Sequence, residues 1–309
     1  MSLKKLLIGV DLGGTKIMTG VIDREGNVCG TPIRVPTGGN DHAEVIVQRI
    51  IGSIEQSLNT IDANISEVLG IGVGATGPVD SLKGEILECP QLPNMHFFNL
   101  REAIQSHFNI PVELNNDANC LILAECIYGA AKDKKNVVGF TLGTGLCCAI
   151  VLNQNIFNGA TGTAAEIWPS PYKNGIIEDY ISGRGVTRLF REVAGKERSS
   201  LEVYQLAEQG DKEALQAWKA FGEHLAVPLA WTINLLDPEV VVLGGSITYA
   251  YDFFKASMEK MLRKWICPIP AEKTRIVKAT LGDYAGFIGA ACLIIQNNNT
   301  YYENRRSIL

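Results

Sequence analysis

Leu6-Leu7-Ile8-Gly9-Val10-Asp11-Leu12-Gly13-Gly14-Thr15 is the stretch on which the reading of this chain turns. An apolar run of strand composition ends there in a glycine turn flanked by an aspartate and a threonine. The pattern returns as Val137-Val-Gly-Phe-Thr-Leu-Gly-Thr-Gly145 and as Val240-Val-Val-Leu-Gly-Gly245. Glycine at such a turn permits positive φ and lets a ligand approach the backbone closely. Successive N–H groups then form an anion nest, to which Thr15, Thr141 and Thr144 add hydroxyl donors. Asp11 can hold a water or Mg²⁺ beside such an anion. One Leu-Gly-Gly string is most simply a β-turn; three of them, each after an apolar strand, point to phosphate. The chain has no G-x-x-x-x-G-K-[ST], which excludes a P-loop, and its one G-x-G-x-x-G string, Gly72–Gly77, runs into Pro78 instead of opening a helix, which leaves a dinucleotide site unsupported. Gly183-Arg184-Gly185 precedes a helix and reads as a cap.

Outward from these turns, short strands alternate with helices, the order of an α/β protein. Strands are expected at Leu6–Val10, Thr19–Asp23, Asn27–Val35, Leu69–Val73 and Pro111–Leu114. Others are expected at Val137–Leu142 and Cys147–Leu152 (a hairpin), Glu239–Leu243 and Thr274–Lys278. Val45, Ile46, Ile50, Ile51 and Ile54 mark a helix over 41–58. Further helices are expected at Ala118–Tyr128, between Arg184 and Asp237 with Lys212–Leu236 the longest, at Tyr251–Trp265 and at Ala285–Gln296. The polar residues 297–309 are expected to be partly disordered. Asp117 falls between a strand and a helix, where it either caps the helix or does chemistry; Asn115 or Asn116 can cap instead.

With 309 residues the chain has room for roughly two domains. Lys+Arg 28 against Asp+Glu 33 gives a net charge of −5, which argues against a nucleic-acid partner. No apolar run reaches the roughly 18 residues of a membrane span, and Asp11 interrupts the first one too early for a secretion signal. Eight cysteines with no CxxC pair read as reduced thiols of a cytosolic protein, with Cys120, Cys126, Cys147, Cys148 and Cys292 acting as small hydrophobes. His42, His96, His107 and His224 share no ligand spacing, so no zinc site is expected.

Asp11-Leu-Gly-Gly-Thr-Lys16, Gly72-Val-Gly-Ala-Thr-Gly-Pro-Val-Asp80, Asn116-Asp117-Ala118-Asn119, Thr141-Leu-Gly-Thr-Gly145, Glu166 and Asp237-Pro-Glu-Val-Val-Val-Leu-Gly-Gly245 occur in this order. Together they resemble the ROK family of bacterial sugar kinases and repressors, within the hexokinase–actin ATPase superfamily. The resemblance implies a two-domain ribonuclease-H-like fold with an interdomain cleft holding a hexose and ATP. It implies domains of 1–115 plus 296–309, and of 116–295. By resemblance Asp11, Gly13, Gly14, Thr15 and Lys16 form one phosphate loop, with Asp11 positioning Mg²⁺ through water. Thr141, Gly143, Thr144 and Gly145 form the other, and Gly244 and Gly245 approach the adenosine. Gly77, Asn116, Asp117, Glu166 and Glu178 line the sugar, with Asp117 the catalytic base. A homodimer and a cytoplasmic location are implied too.

The chain departs from that pattern after Glu166. Many members carry a histidine and a cysteine-rich zinc loop there; this chain has Ile167-Trp168-Pro169-Ser170 and a short Pro171–Gly175 segment, so zinc is not expected. The loss of that histidine bears on which sugar is taken, and Cys147-Cys148 stand where glycines are usual. With ten residues before Asp11, no DNA-binding helix-turn-helix is expected. The resulting expectation is ATP-dependent phosphorylation of a hexose 6-hydroxyl, glucose first. The alternatives are a kinase for fructose, allose or N-acetylmannosamine, and a catalytically weak sugar-binding regulator.

Overall fold

The computed structural model describes residues 5–306. Its strands are β1 (Leu6–Leu12), β2 (Lys16–Ile22), β3 (Val28–Pro36), β4 (Val68–Ala75), β5 (Val79–Asp80), β6 (Glu85–Ile86), β7 (Phe98–Asn99) and β8 (Val112–Asn116). They continue with β9 (Val137–Leu142), β10 (Leu146–Leu152), β11 (Asn155–Ile156), β12 (Pro171–Tyr172), β13 (Gly175–Ile176), β14 (Val240–Gly244) and β15 (Arg275–Lys278). The helices are α1 (Ala43–Asn59), α2 (Leu100–Phe108), α3 (Asp117–Ile127), α4 (Gly183–Ala194), α5 (Ser200–Glu208), α6 (Lys212–Leu236), α7 (Tyr251–Trp265), α8 (Pro268–Lys273) and α9 (Ala285–Arg306). The chain is α/β, as its alternating pattern predicted.

Residues up to 133, 150–164 and those from 280 onward form one compact unit; 134–149 and 165–279 form the other. In the first unit a five-stranded sheet has the order β3-β2-β1-β4-β8. The β1–β2–β3 part is antiparallel, whereas β1, β4 and β8 run parallel. Helix α1 packs on β2 and β3 through Ala43, Ile46, Val47, Ile50, Ile51, Ile54 and Leu58. Full burial of each Val, Ile or Leu in that stripe contributes roughly 1.5–3 kcal/mol. Val45, expected on the stripe, is exposed: it lies outside the arc that the other seven share.

The division expected at residue 115/116 falls elsewhere. Helix α9 lies across β1 and β4, and α3 packs along α9, so both belong with the first sheet. Gly9 and Gly72 make this possible. A Cβ at Gly9 would overlap the Phe287 carbonyl, and one at Gly72 the Ala290 carbonyl, so the helix backbone rests directly on the sheet. Helix α9 also continues to Arg306, beyond the expected end at Gln296, because extending a formed helix needs no new nucleus. Residues 307–309 of the expected disordered tail lie outside the described residues, as do 1–4.

In the second unit β10, β9, β14 and β15 are neighbours in that order, with β9, β14 and β15 parallel. Helices α4 to α7 supply its core, with Trp218, Phe221 and Phe254 at the centre. Leu146 and Cys148 of β10 are buried, but Cys147 is exposed, contrary to expectation, because successive strand residues face opposite sides. Among the described residues no helix is long and apolar enough to cross a membrane.

Candidate functional site

In the first unit the carboxyl ends of parallel β1, β4 and β8 share one edge of the sheet. Register places Asp11 beside Gly74, Gly74 beside Asn115, and Ala75 beside Asn116. Asp11, the Gly13–Thr15 turn, Gly77, Asn116 and Asp117 are thereby gathered on three adjacent strand ends, where ligands of α/β sheets bind. Gly74 keeps the contact tight: a Cβ there would stand 3.0 Å from Cys120 Sγ and 3.6 Å from the Asp117 Cα.

The first glycine turn is closed by Gly13 N–H donating to the Lys16 carbonyl, 3.0 Å. Thr37, from the loop after β3, donates its N–H to Thr15 O at 3.0 Å and its hydroxyl to Gly13 O at 2.6 Å. The N–H groups of Gly14 and Thr15 are left without a partner among the described residues, an anion nest in outline. Lys16 begins β2 rather than extending the turn. Burial raises the Asp11 carboxyl, while the Lys16 ammonium pulls it down. A desolvated carboxylate at such a turn suits Mg²⁺ carried on a phosphate, since that ion needs only one or two protein carboxylates. Among the described residues no three His, Cys, Asp or Glu side chains are grouped to hold a metal by themselves.

Asn116 is the N-cap of α3, its side chain accepting the Ala118 N–H at 2.9 Å. The capping role considered for Asp117 therefore falls chiefly to Asn116. Asp117 is the first helical residue, and its Oδ1 also accepts the Ala118 N–H, at 2.7 Å. The positive end of the helix dipole favours its carboxylate. Behind it, buried Asn115 accepts from Asn116 N–H (2.8 Å) and Asn119 Nδ2 (2.9 Å) and donates to Asn158 Oδ1 (3.1 Å). Asp117 thus stands on a fixed base.

The second unit carries its own cluster. The β9–β10 turn is closed by Gly143 N–H donating to Gly145 O, 3.0 Å, and Gly183 N–H donates to Gly143 O at 2.7 Å. The start of α4 thus abuts the turn; Gly183, Arg184 and Gly185, read as a cap before the helix, are instead its first three residues, and Ser182 is the cap. Thr141 faces Gly244 in the register, and its Oγ1 is buried without a hydrogen-bond partner. An orphaned hydroxyl is unfavourable until a ligand or water satisfies it. Gly245 has φ 85°, a conformation that favours glycine.

The two glutamates behave differently. Glu178 Oε2 accepts the Leu146 N–H at 2.9 Å and its Oε1 pairs with Arg184. Its carboxylate thereby ties the glycine turn to α4, and a sugar hydroxyl would have to share oxygens already in use. Glu166 is exposed and accepts the Trp168 indole N–H at 2.7 Å, yet desolvation by its surroundings raises its carboxyl. It follows Ala165, which is held at φ 69°. In place of a cysteine-rich loop, β12 and β13 form a small hairpin whose Tyr172 hydroxyl meets His224 Nδ1 at 2.9 Å.

Sequence reading missed Thr37 and Gln91, which touch the first turn from other segments, and the pairing of Arg184 with Glu178 beside the second. Only the Thr37-Gly38-Gly39 loop carried any signal, as a second glycine pair near the first.

The model of the family described as ROK matches residues 7–297. A glucokinase of Halalkalibacterium halodurans is 28% identical, covering 95% of this chain and 96% of its own. An N-acetyl-D-glucosamine kinase of Photobacterium profundum is 30% identical, covering 93% and 99%. The crystal structure of a ROK family glucokinase from Streptomyces griseus, in complex with glucose and AMPPNP, superposes with TM-score 0.78 at 28% identity, covering 94% and 99%. With the match running almost end to end and its motifs on the strand ends described above, this chain belongs to the ROK family.

Proposed function

We infer that the protein is an ATP-dependent sugar kinase that phosphorylates a hexose at its 6-hydroxyl, glucose first among candidates. The observation that carries this reading is the parallel register of β1, β4 and β8, which sets Asn116 and Asp117 on the same sheet edge as the Asp11 glycine turn. A carboxylate beside an anion nest is what transfer of a phosphoryl group to a hydroxyl requires. In this reading the Asp117 carboxylate orients the attacking hydroxyl and accepts its proton as the new O–P bond forms. The bond from the γ-phosphorus to the bridging oxygen breaks, and ADP leaves. The N–H groups of Gly14 and Thr15, with the threonines Thr15 and Thr144 and the buried Thr141 hydroxyl, serve the phosphates. Gly244 and Gly245 serve the adenosine. Asp11 would hold Mg²⁺ through water, and the ion would supply neutralisation of phosphate charge when bound. Asn116, Gly77, Glu166 and Glu178 serve the sugar.

Relatives named as glucokinases and as an N-acetyl-D-glucosamine kinase support a sugar kinase and leave the sugar open. One observation favours a second sugar reading: Glu178 is committed to Leu146 and Arg184, and Pro169 replaces the expected histidine, so selection on that side rests on Glu166 and the 171–176 hairpin. Fructose, allose and N-acetylmannosamine are the alternatives. A non-catalytic sugar binder would have no use for a carboxylate on this edge. The reading carries with it a cytosolic setting, a homodimer and no nucleic-acid partner. The test is ADP release with Mg²⁺ on glucose, mannose, fructose, allose, glucosamine, N-acetylglucosamine and N-acetylmannosamine. Turnover on glucose is expected; turnover on another sugar keeps the reaction and changes the substrate. Sugar binding by calorimetry with no ADP release on any of them would establish the binder instead.

A further inference from the structure

The segment Cys89-Pro90-Gln91-Leu92 is not part of any motif read from the sequence, yet it covers the first glycine turn. Gln91 lies so close to Gly14 that a Cβ there would come 2.7 Å from Gln91 Cβ and 3.2 Å from its Cγ. Its carbonyl oxygen occupies the space a Cβ on Gly39 would need. The segment is pinned from below. Cys89, Leu92 and Met95 are fully buried, Leu92 N–H donates to Cys89 O at 3.0 Å, and His96 Nε2 meets the same carbonyl at 2.9 Å. Gln91 itself is exposed.

The carboxamide has a defined orientation. The Cys89 thiol donates to Gln91 Oε1 at 3.3 Å, so the two Nε2 protons are turned to other acceptors, and no described residue supplies one. Burial raises the Cys89 thiol, against the lowering effect of hydrogen bonds from the Gln91 and Leu92 backbone. The neutral donor group therefore belongs to a side chain of the first unit packed against the Gly14 nest. We propose that the Gln91 carboxamide donates a hydrogen bond to the phosphoryl group in transfer, and that Cys89 positions it for that contact. This rests on the kinase reading, in which the moving group must pass between nucleotide and base. A neutral N–H₂ suits it, because a phosphoryl oxygen accepts and a second carboxylate there would repel.

The test compares two nucleotides by calorimetry with Mg²⁺ present: AMPPNP, which carries a γ-phosphoryl group, and ADP, which does not. Gln91→Leu, close in size but without donors, is expected to weaken AMPPNP by roughly fivefold while leaving ADP within about twofold. Its kcat on the accepted sugar should fall by about 10²-fold, the effect of deleting one preorganised donor. Gln91→Glu, the second variant should the first fail to fold, should discriminate against AMPPNP more strongly through charge repulsion. Cys89→Ala should give a smaller loss of the same kind, and Cys89→Ser, which restores a donor, should recover it. That recovery separates positioning of Gln91 from simple loss of packing. An unchanged AMPPNP-to-ADP affinity ratio in both Gln91 variants overturns the proposal. If the native protein binds both nucleotides but phosphorylates no sugar, the kinase reading fails while the ratio still decides the role of Gln91. If it binds neither, both fall.

Discussion

Asp117→Asn separates chemistry from architecture, and the structure sets both magnitudes. Asn at 117 is isosteric and keeps an acceptor for the Ala118 N–H, which Asn116 also accepts at 2.9 Å. The structural loss is then the charge at the helix N-terminus, about 0.3–1 kcal/mol. The catalytic loss is the proton acceptor itself. General-base contributions of about 10²–10⁴-fold correspond to roughly 2.7–5.4 kcal/mol of transition-state stabilisation at 1.36 kcal/mol per decade. The two effects differ enough to be read apart. We expect kcat to fall at least about 10²-fold, with KM for the sugar changed by less than about tenfold. The unfolding midpoint in urea should correspond to a loss of no more than about 1 kcal/mol. Coupled ADP release at saturating ATP and sugar measures the first, and a urea titration followed by circular dichroism measures the second. Turnover within tenfold of the native rate in a folded variant would refute the assignment of Asp117 as base. A loss of several kcal/mol of stability would show instead that its role is architectural.

Other perturbations test other parts of the structure. Gly72→Ala must push α9 off the sheet, because its Cβ would overlap the Ala290 carbonyl; we expect a loss of at least about 2–3 kcal/mol, read by urea denaturation, and an unchanged midpoint would refute the close approach. Glu125 is fully buried in α3, where it accepts from Ala130 N–H (2.7 Å), Thr280 N–H (2.8 Å), Leu281 N–H (2.9 Å) and Thr280 Oγ1 (3.1 Å). Glu125→Ala should cost about 3–5 kcal/mol, since several donors are orphaned at once, and near-native stability would show that water replaces them easily. His224 stands among Tyr172, Tyr180, Lys173, Arg188 and Glu192, and desolvation, aided by the two cations, lowers it to about 4. Its folded value lies below the unfolded one of about 6.5, so the unfolded chain takes up the proton first and stability falls as pH drops from about 6.5 towards 4. Discounted for partial solvent exposure, the effect should be roughly 1–2 kcal/mol, and His224→Phe should flatten the difference between melts at pH 7 and pH 5. A pH dependence identical in the variant would assign the effect to other groups.

Part of the site was legible because it is written in adjacent residues. The Asp11–Thr15 and Thr141–Gly145 turns need glycine for local reasons, and both turns are where the sequence put them. The strand-to-helix junction at Asn116–Asp117 was equally plain, since a cap and the start of an apolar helical segment are neighbours in the chain. The small β5–β7 sheet and the β12–β13 hairpin were not foreseen, because two-residue strands leave no periodicity to read. Glu178 is another limit. Nothing near it in sequence indicates that Leu146 N–H and Arg184 take up its carboxylate.

The sequence by itself determined the α/β class, the glycine turns and the exclusion of a P-loop, because each depends on backbone preferences spanning a few residues. Through the order of its motifs it also determined the family. The tertiary structure decided which elements belong together. Residues 280 onward return to the first sheet because Gly9 and Gly72 leave room for a helix backbone, a fit between segments far apart in the chain. The same holds for Asp11 beside Gly74, for Asn116 on the same edge, and for Gln91 over Gly14. Such contacts follow from strand register and packing, which depend on how distant surfaces fill space against each other and on no residue's own propensity.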